Sequence, residues 1–147
     1  WTLQIIGGGR DGEKFLTELV KESGLEERIE FIGFTNQVAN YMQQGAIFIL
    51  PSRFEGLPMV LLEALSQGMA CIAYDCRTGP SDMLLDQHNG LLIPDQDMTA
   101  IQQGLLTLME NEAMRKSLGN NGLKSLERFS IDTITAKWEE LFKQLQA

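Results

Sequence analysis

Five short runs of β-branched and other apolar residues alternate along this chain with longer stretches of helical period. That alternation restricts it to an α/β fold, a doubly wound parallel sheet with helices on both faces. The spacing predicts strands at Leu3–Ile6, Ile29–Gly33, Ala46–Leu50, Ala70–Tyr74 and Leu91–Ile93. Helices are expected between them at Glu13–Ser23, Gln37–Gln43, Pro58–Gln67 and Pro80–Asp86. After Pro94 the strands stop, and residues 98–147 read as mainly helical, over Met98–Glu110, Glu112–Arg128 and Asp132–Leu145. At 147 residues and 44% apolar content the whole chain, 1–147, is the size of one domain with a substantial core.

Charge and cysteine content remove several classes of function. A formal charge of −8 repels polyanions, so neither nucleic acid nor an anionic membrane is expected as the principal partner. Cys71 and Cys76 are too few for a disulfide framework, and the single histidine, His88, is not beside them, so no metal site is expected and a reducing, cytoplasmic setting fits. Cys71 reads as core, Cys76 as a loop thiol and His88 as a surface turn residue. No apolar run approaches the roughly 18 to 20 residues of a spanning helix, and Trp1–Ile6, with no basic region before it, reads as a strand and not a signal peptide. In the last helix Ile131, Ile134, Trp138, Leu141, Phe142 and Leu145 form an apolar stripe, headed by Ser130 or Asp132 as N-cap. It is expected to pack on the domain's own sheet, with docking against a second domain as the alternative.

Two loops have the composition of a binding site. Gly7-Gly8-Gly9 follows a strand and precedes a helix, so backbone can approach a ligand there and amides can face an anion. Gly7, Gly9 and Gly12 have the spacing of a dinucleotide loop, but Glu30 lies within a strand and not at its end, so no acid completes such a site. The richer segment runs from Pro51 to Leu65 and begins where the third strand ends, on the side where open α/β sheets bind ligands. With Pro58 in the first turn of a helix, Glu55 and Gly56 lie in the loop and Glu63 sits roughly 7 to 8 Å further along the axis. Free amides at Met59 and Val60 would draw a phosphate between the two carboxylates, which would accept hydrogen bonds from hydroxyls on either side. A sugar, a diphosphate and a ribose in line would suit that spacing. Glu63 alone could be a solvated surface carboxylate, but its neighbours Leu61, Leu62, Ala64 and Leu65 are apolar, which favours a specific partner for it.

Glu55 and Glu63, separated by seven residues and preceded by Pro51-Ser52, resemble the E-x7-E signature of retaining GT-B glycosyltransferases, in particular glycosyltransferase family 4, the group 1 transferases. Further segments share the likeness in order: Gly7-Gly8-Gly9, Phe31-Ile32-Gly33-Phe34, Glu55-Gly56-Leu57-Pro58, Glu63-Ala64, Gly68, Gly79-Pro80, Asn89-Gly90 and Phe129-Ser130. Gly79-Pro80 looks like the bacterial enzymes that build surface polysaccharides. The resemblance implies a Rossmann-like C-terminal half of a GT-B fold that binds a nucleotide diphosphate sugar, by family frequency a uridine diphosphate sugar, without metal or other cofactor and with retention at the anomeric carbon. By it, Glu55 is catalytic and meets the donor sugar with Gly56 and Leu57. Met59 and Val60 meet the diphosphate, Glu63 the ribose, Gly33 and Phe34 the base, and Gly8, Gly9 and Arg10 form a donor-side loop. The acceptor, a glycan or lipid-linked sugar, would be held by an N-terminal domain not in this chain, at the inner face of the bacterial plasma membrane with peripheral association of the full-length protein.

The chain also departs from the family pattern. It is expected to lack the first strand-helix unit and, with it, an Arg and a Lys that neutralise the donor diphosphate. Residues 46 to 100 hold only Arg53 and Arg77 against seven acids, so these 147 residues alone are expected to be inactive. Loss of a central strand predicts that the strands at Leu3–Ile6 and Ala46–Leu50 pair directly, or that another chain, such as a second copy, fills the gap. Two other functions compete with transfer: a non-catalytic nucleotide-binding or scaffolding domain, and a glycosidase using Glu55 and Glu63 as its pair, which would leave the glycine loops without a purpose.

Overall fold

The computed structural model describes residues 1–146, without the side chains of Arg10 and Asp11. It comprises two compact units, Trp1–Tyr41 and a second that begins at Met42. Among the described residues no helix is long and apolar enough to cross a membrane.

The first unit is one βαβ turn. Strand β1 (Leu3–Ile6) lies parallel to β2 (Ile29–Gly33), with Leu3 opposite Ile29 and a slip that sets Ile6 opposite Gly33. Helix α1 (Arg10–Glu22) begins three residues earlier than the apolar period indicates, because extended Gly9 (φ −160°) serves as its N-cap. Gly7 takes φ +110° and donates its amide to the Gly33 carbonyl at 2.9 Å, which ties the glycine loop to the end of β2. Helix α2 (Val38–Gln44) runs across the boundary between the units.

The second unit is a three-stranded parallel sheet in the order β3 (Ile47–Leu50), β4 (Ala70–Asp75), β5 (Leu91–Pro94). Five consecutive residues of β4 are buried, as expected of a strand covered on both faces. Alternate residues Ala70, Ile72 and Tyr74, with Leu91 and Ile93 of β5, form the main core against Ile101 and Leu108 of α5 (Met98–Glu110) and Leu118 of α6 (Glu112–Ser125). Residues Leu61, Ala64 and Leu65 bury the inner side of α3 (Met59–Ser66). The α3 C-terminus closes in a Schellman turn: Met69 donates to the Ala64 carbonyl and Gly68, at φ +71°, to that of Leu65. Asp97 and Asn111 cap α5 and α6 through their side chains, accepting from the amides of Ala100 and Met114.

Several expectations are corrected. The strands β1 and β3 do not pair directly; each belongs to a separate sheet, β1 with β2 and β3 with β4. Helix α4 spans only Pro80–Met83, because Leu84 turns extended and Asn89, fully buried, takes over the polar groups that follow. Its Oδ1 accepts the Leu85 amide at 2.6 Å, and its Nδ2 donates to the Met83 carbonyl and to Ser125 Oγ. The helix read through Arg128 ends at Ser125 and continues as a 3-10 turn, Leu126–Phe129. Ser130, and not Asp132, caps α7 (Ile131–Leu145), accepting the Thr133 amide. The apolar stripe of α7 is not packed on the sheet: Ile131, Trp138, Phe142 and Leu145 are exposed, with Trp138 and Phe142 in ring contact at 5.7 Å.

Cys71 is buried in β4 and Cys76 lies in the loop that follows it, as expected, although that loop thiol is buried too. Burial pushes the Cys71 thiol up to about 12. Alkylation of the native full-length protein at pH 8 is accordingly expected to leave both unmodified, with labelling only after denaturant; rapid native labelling of Cys71 would contradict its burial.

Candidate functional site: the loop from β3 to α3

Strand β3 ends at the buried Leu50, and the chain then turns through Pro51–Leu57 before α3. The Ser52 hydroxyl donates to Glu55 Oε1 at 2.6 Å, closing the turn on itself and fixing one carboxylate oxygen. Glu55 is half-buried, and Ser52 bonds only one of its two carboxylate oxygens. The Glu55 backbone is held as well: the Thr78 hydroxyl, in the loop after β4, donates to the Glu55 carbonyl. Next to Thr78, Gly79 stands at φ +96°, and a Cβ there would come within 2.7 Å of Pro58 Cδ and 2.9 Å of the Gly56 carbonyl oxygen. Only glycine lets these two loops lie together. Gly56, Leu57 and Phe54 are exposed around the carboxylate.

The helix start differs from its expected form. Pro58 is the N-cap (φ −72°, ψ 82°) and not the first helical residue. The Met59 amide is not free, because it donates to the Leu57 carbonyl at 2.8 Å. In the same turn Leu61 donates to the Pro58 carbonyl at 2.8 Å, which leaves Val60 as the first amide without such a bond. Glu63 is exposed, while its neighbours Leu61, Ala64 and Leu65 turn inward. No buried partner is therefore needed, and the apolar run around Glu63 reflects helix amphipathicity.

The remaining predicted positions lie in the first unit. Gly8 and Phe34 come together there: a Cβ on Gly8 would lie 3.0 Å from Glu13 Oε2 and 3.8 Å from the Phe34 ring. Phe34 is 87% exposed, beside Gly33 at φ +73°. Gly9 caps α1, and the side chain of Arg10 lies outside the described residues. Glu55, Gly56, Leu57, Met59, Val60 and Glu63 gather in the second unit. The sequence places Pro51-Ser52 in the signature without showing what Ser52 does, and it does not point to Thr78 at all. Ser52 had a signal, a hydroxyl three residues before the acid, whereas Thr78 is 23 residues away from Glu55 and had none.

Comparison with known proteins gives this geometry a family. The family model described as Glycosyl transferases group 1 matches residues 1–125. An exopolysaccharide phosphotransferase of Streptomyces coelicolor is 34% identical over 146 residues, covering 99% of this chain and 15% of that protein. The amylovoran biosynthesis glycosyltransferase AmsD of Erwinia amylovora is 30% identical over 141 residues, 96% of this chain and 39% of its own length. Among solved structures, the lipopolysaccharide outer core galactosyltransferase WaaB superposes with a TM-score of 0.86 at 31% identity, over 98% of this chain and 41% of that one. The chain thus spans well under half the length of these relatives, and its parallel sheets flanked by helices match the C-terminal, Rossmann-like half of a GT-B glycosyltransferase. On a match that runs through both sheets and the whole β3–α3 loop, this chain belongs to the glycosyl transferases group 1 family.

Proposed function

We propose that this chain is the donor-binding domain of a retaining, metal-independent transferase of glycosyltransferase family 4, which moves a hexose from a uridine diphosphate sugar to a glycan or lipid-linked acceptor in bacterial surface polysaccharide synthesis. The observation that carries this reading is the half-buried Glu55 in the loop after β3, anchored through one oxygen, with Glu63 following on α3. In the proposal Glu55, as the catalytic residue, with Gly56 and Leu57 meets the donor sugar, the backbone at Val60 and its neighbour Met59 lies against the diphosphate, and Glu63 accepts the ribose hydroxyls. Since the Met59 amide is already engaged, Val60 is the better diphosphate donor of the pair. Gly33 and the exposed ring of Phe34 would meet the base, with Gly8, Gly9 and Arg10 as a donor-side loop. In the reaction the bond from the anomeric carbon to the diphosphate oxygen breaks, its electron pair leaves with the diphosphate, and the acceptor hydroxyl adds to that carbon and loses its proton.

In this reading the acceptor is held by other parts of the full-length protein, at the cytoplasmic face of the plasma membrane. The 147 residues alone do not transfer sugar, because Arg53 and Arg77 are the only cations among residues 46 to 100. Two open sheets in the isolated segment also favour self-association through their strand edges.

Calorimetric titration of the full-length protein with uridine diphosphate, and with uridine and guanosine diphosphate sugars, tests the donor assignment. Saturable binding of the uridine compounds is expected, weakened about 10- to 100-fold by Glu63→Ala, the cost of losing a hydrogen bond to a charged group. Affinity unchanged in Glu63→Ala would remove the ribose role. Preference for guanosine diphosphate sugars would change the donor base and leave the site in place.

A further inference from the structure

We propose that Ser52 and Thr78 are positioning residues that hold Glu55 for reaction, which makes the loop after β4 part of the transfer machinery. The proposal rests on the reading above, that Glu55 meets the donor sugar.

A carboxylate on a loop turns freely about its last torsions unless something fixes it, and a small displacement at a reacting centre costs rate. Glu55 is fixed at both ends. At the side chain, Ser52 donates to Oε1 at 2.6 Å, a short charge-assisted bond that restrains rotation of the carboxylate. At the backbone, Thr78 donates to the Glu55 carbonyl from a loop 23 residues further along. These bonds do different work: Ser52 sets the rotation of the carboxylate, and Thr78 sets where its Cα stands.

The Thr78 loop is itself built to hold that distance. Its carbonyl accepts from Cys76 Sγ, a buried thiol, so the turn is tied down on the side of β4. Gly79 follows in the left-handed region, with Pro58 Cδ, the Gly56 carbonyl oxygen and Glu55 Cβ within 3.4 Å of where its Cβ would stand. Pro80, next in line, is buried at the start of α4. The Glu55 loop therefore rests on a platform of Cys76, Thr78, Gly79 and Pro80, and the platform is anchored to the central strand of the sheet. Thr78 is exposed and fills no core space, so a packing role does not account for it.

The test uses the full-length enzyme, measuring kcat for sugar transfer beside the affinity for uridine diphosphate, which in the reading above stops short of Glu55. Ser52→Ala and Thr78→Val are each expected to lower kcat about tenfold or more with uridine diphosphate affinity within about twofold. The double variant is expected to be slower than either. Ser52→Thr and Thr78→Ser keep the hydroxyls and are expected to recover at least about half of the wild-type kcat. If both hydroxyl deletions keep kcat within about twofold while Glu55→Ala is inactive, the positioning role is wrong and the donor reading stands. If Glu55→Ala itself keeps kcat within about twofold, the donor reading fails and this proposal falls with it. A loss of kcat matched by an equal loss of uridine diphosphate affinity would mean general loosening of the loop, and would overturn positioning.

Discussion

Replacing Glu55 by glutamine or alanine in the full-length protein is expected to lower kcat for transfer about 100- to 1,000-fold while uridine diphosphate still binds within about threefold of wild type. In the proposed reaction the donor sugar gains positive character at the anomeric carbon as the bond to the diphosphate breaks, and a carboxylate beside it would stabilise that charge more than it stabilises the ground state. Glutamine keeps the shape and an oxygen for Ser52, but removes the charge; alanine removes both. Equal losses in the two variants would assign the effect to charge, and a milder loss in glutamine to hydrogen bonding with the sugar hydroxyls. Glu55 is half-buried and on a loop, so neither variant is expected to shift the melting temperature by more than a few degrees. Undiminished transfer by Glu55→Ala would leave only the binding or scaffolding function for this domain.

The largest stability effect is expected far from that carboxylate, at Gly119→Ala. Helix α6 passes so close to the Schellman turn of α3 that a Cβ at 119 would stand 2.1 Å from the Gly68 carbonyl oxygen and 3.0 Å from its carbon. Both are backbone atoms, and Gly68 at φ +71° is itself committed to closing α3. The overlap cannot be relieved by a rotamer change, so α6 must move off α3, at a cost of about 3 kcal/mol or more. For a domain of this size that corresponds to a fall of roughly 6 to 12 °C in melting temperature. Gly12→Ala is the control: it lies inside α1, a Cβ there meets nothing within 4 Å, and relief of glycine's backbone entropy is expected to raise stability by about 0.5 to 1 kcal/mol. If both alanines behave alike, the close approach of α6 and α3 is not a determinant of stability.

How far each feature could be read from the chain follows from where its partners lie. Strands β1 and β2 and helix α5 match their expected bounds, because alternation, helical period and an Asp97 cap are all local to the segment. Helix α4 was read to Asp86, yet it ends at Met83. The helical period is compatible with either end, and the choice was made by Asn89, whose carboxamide reaches back to Leu85 and Met83 and across to Ser125. Asn89-Gly90 looked like a turn signal, and nothing local distinguishes an exposed turn asparagine from one buried under a helix. The α7 stripe was equally plain as amphipathicity, but period alone does not say what covers a face, and in the structure it is exposed.

The same division runs through the candidate site. Glu55 and Glu63, with seven residues between them after a strand end, are legible because their order along the chain is what places them on one loop and one helix. The apolar neighbours of Glu63 favour a specific partner for it, but the structure turns Leu61, Ala64 and Leu65 inward and leaves the carboxylate outside. The sequence predicts a free amide at Met59, but the backbone of Leu57 claims it once Pro58 takes the capping position. By itself the sequence determined the α/β class, the strand and helix order and the positions of the two carboxylates, since each depends on the chemistry of residues within a turn or two. Tertiary structure alone decided how the backbone of Glu55 is held, through Thr78 and Gly79 from a distant loop, and how closely α6 could approach α3. Those are contacts between residues 21 to 51 positions apart, and their geometry exists only once the sheet has brought the segments together.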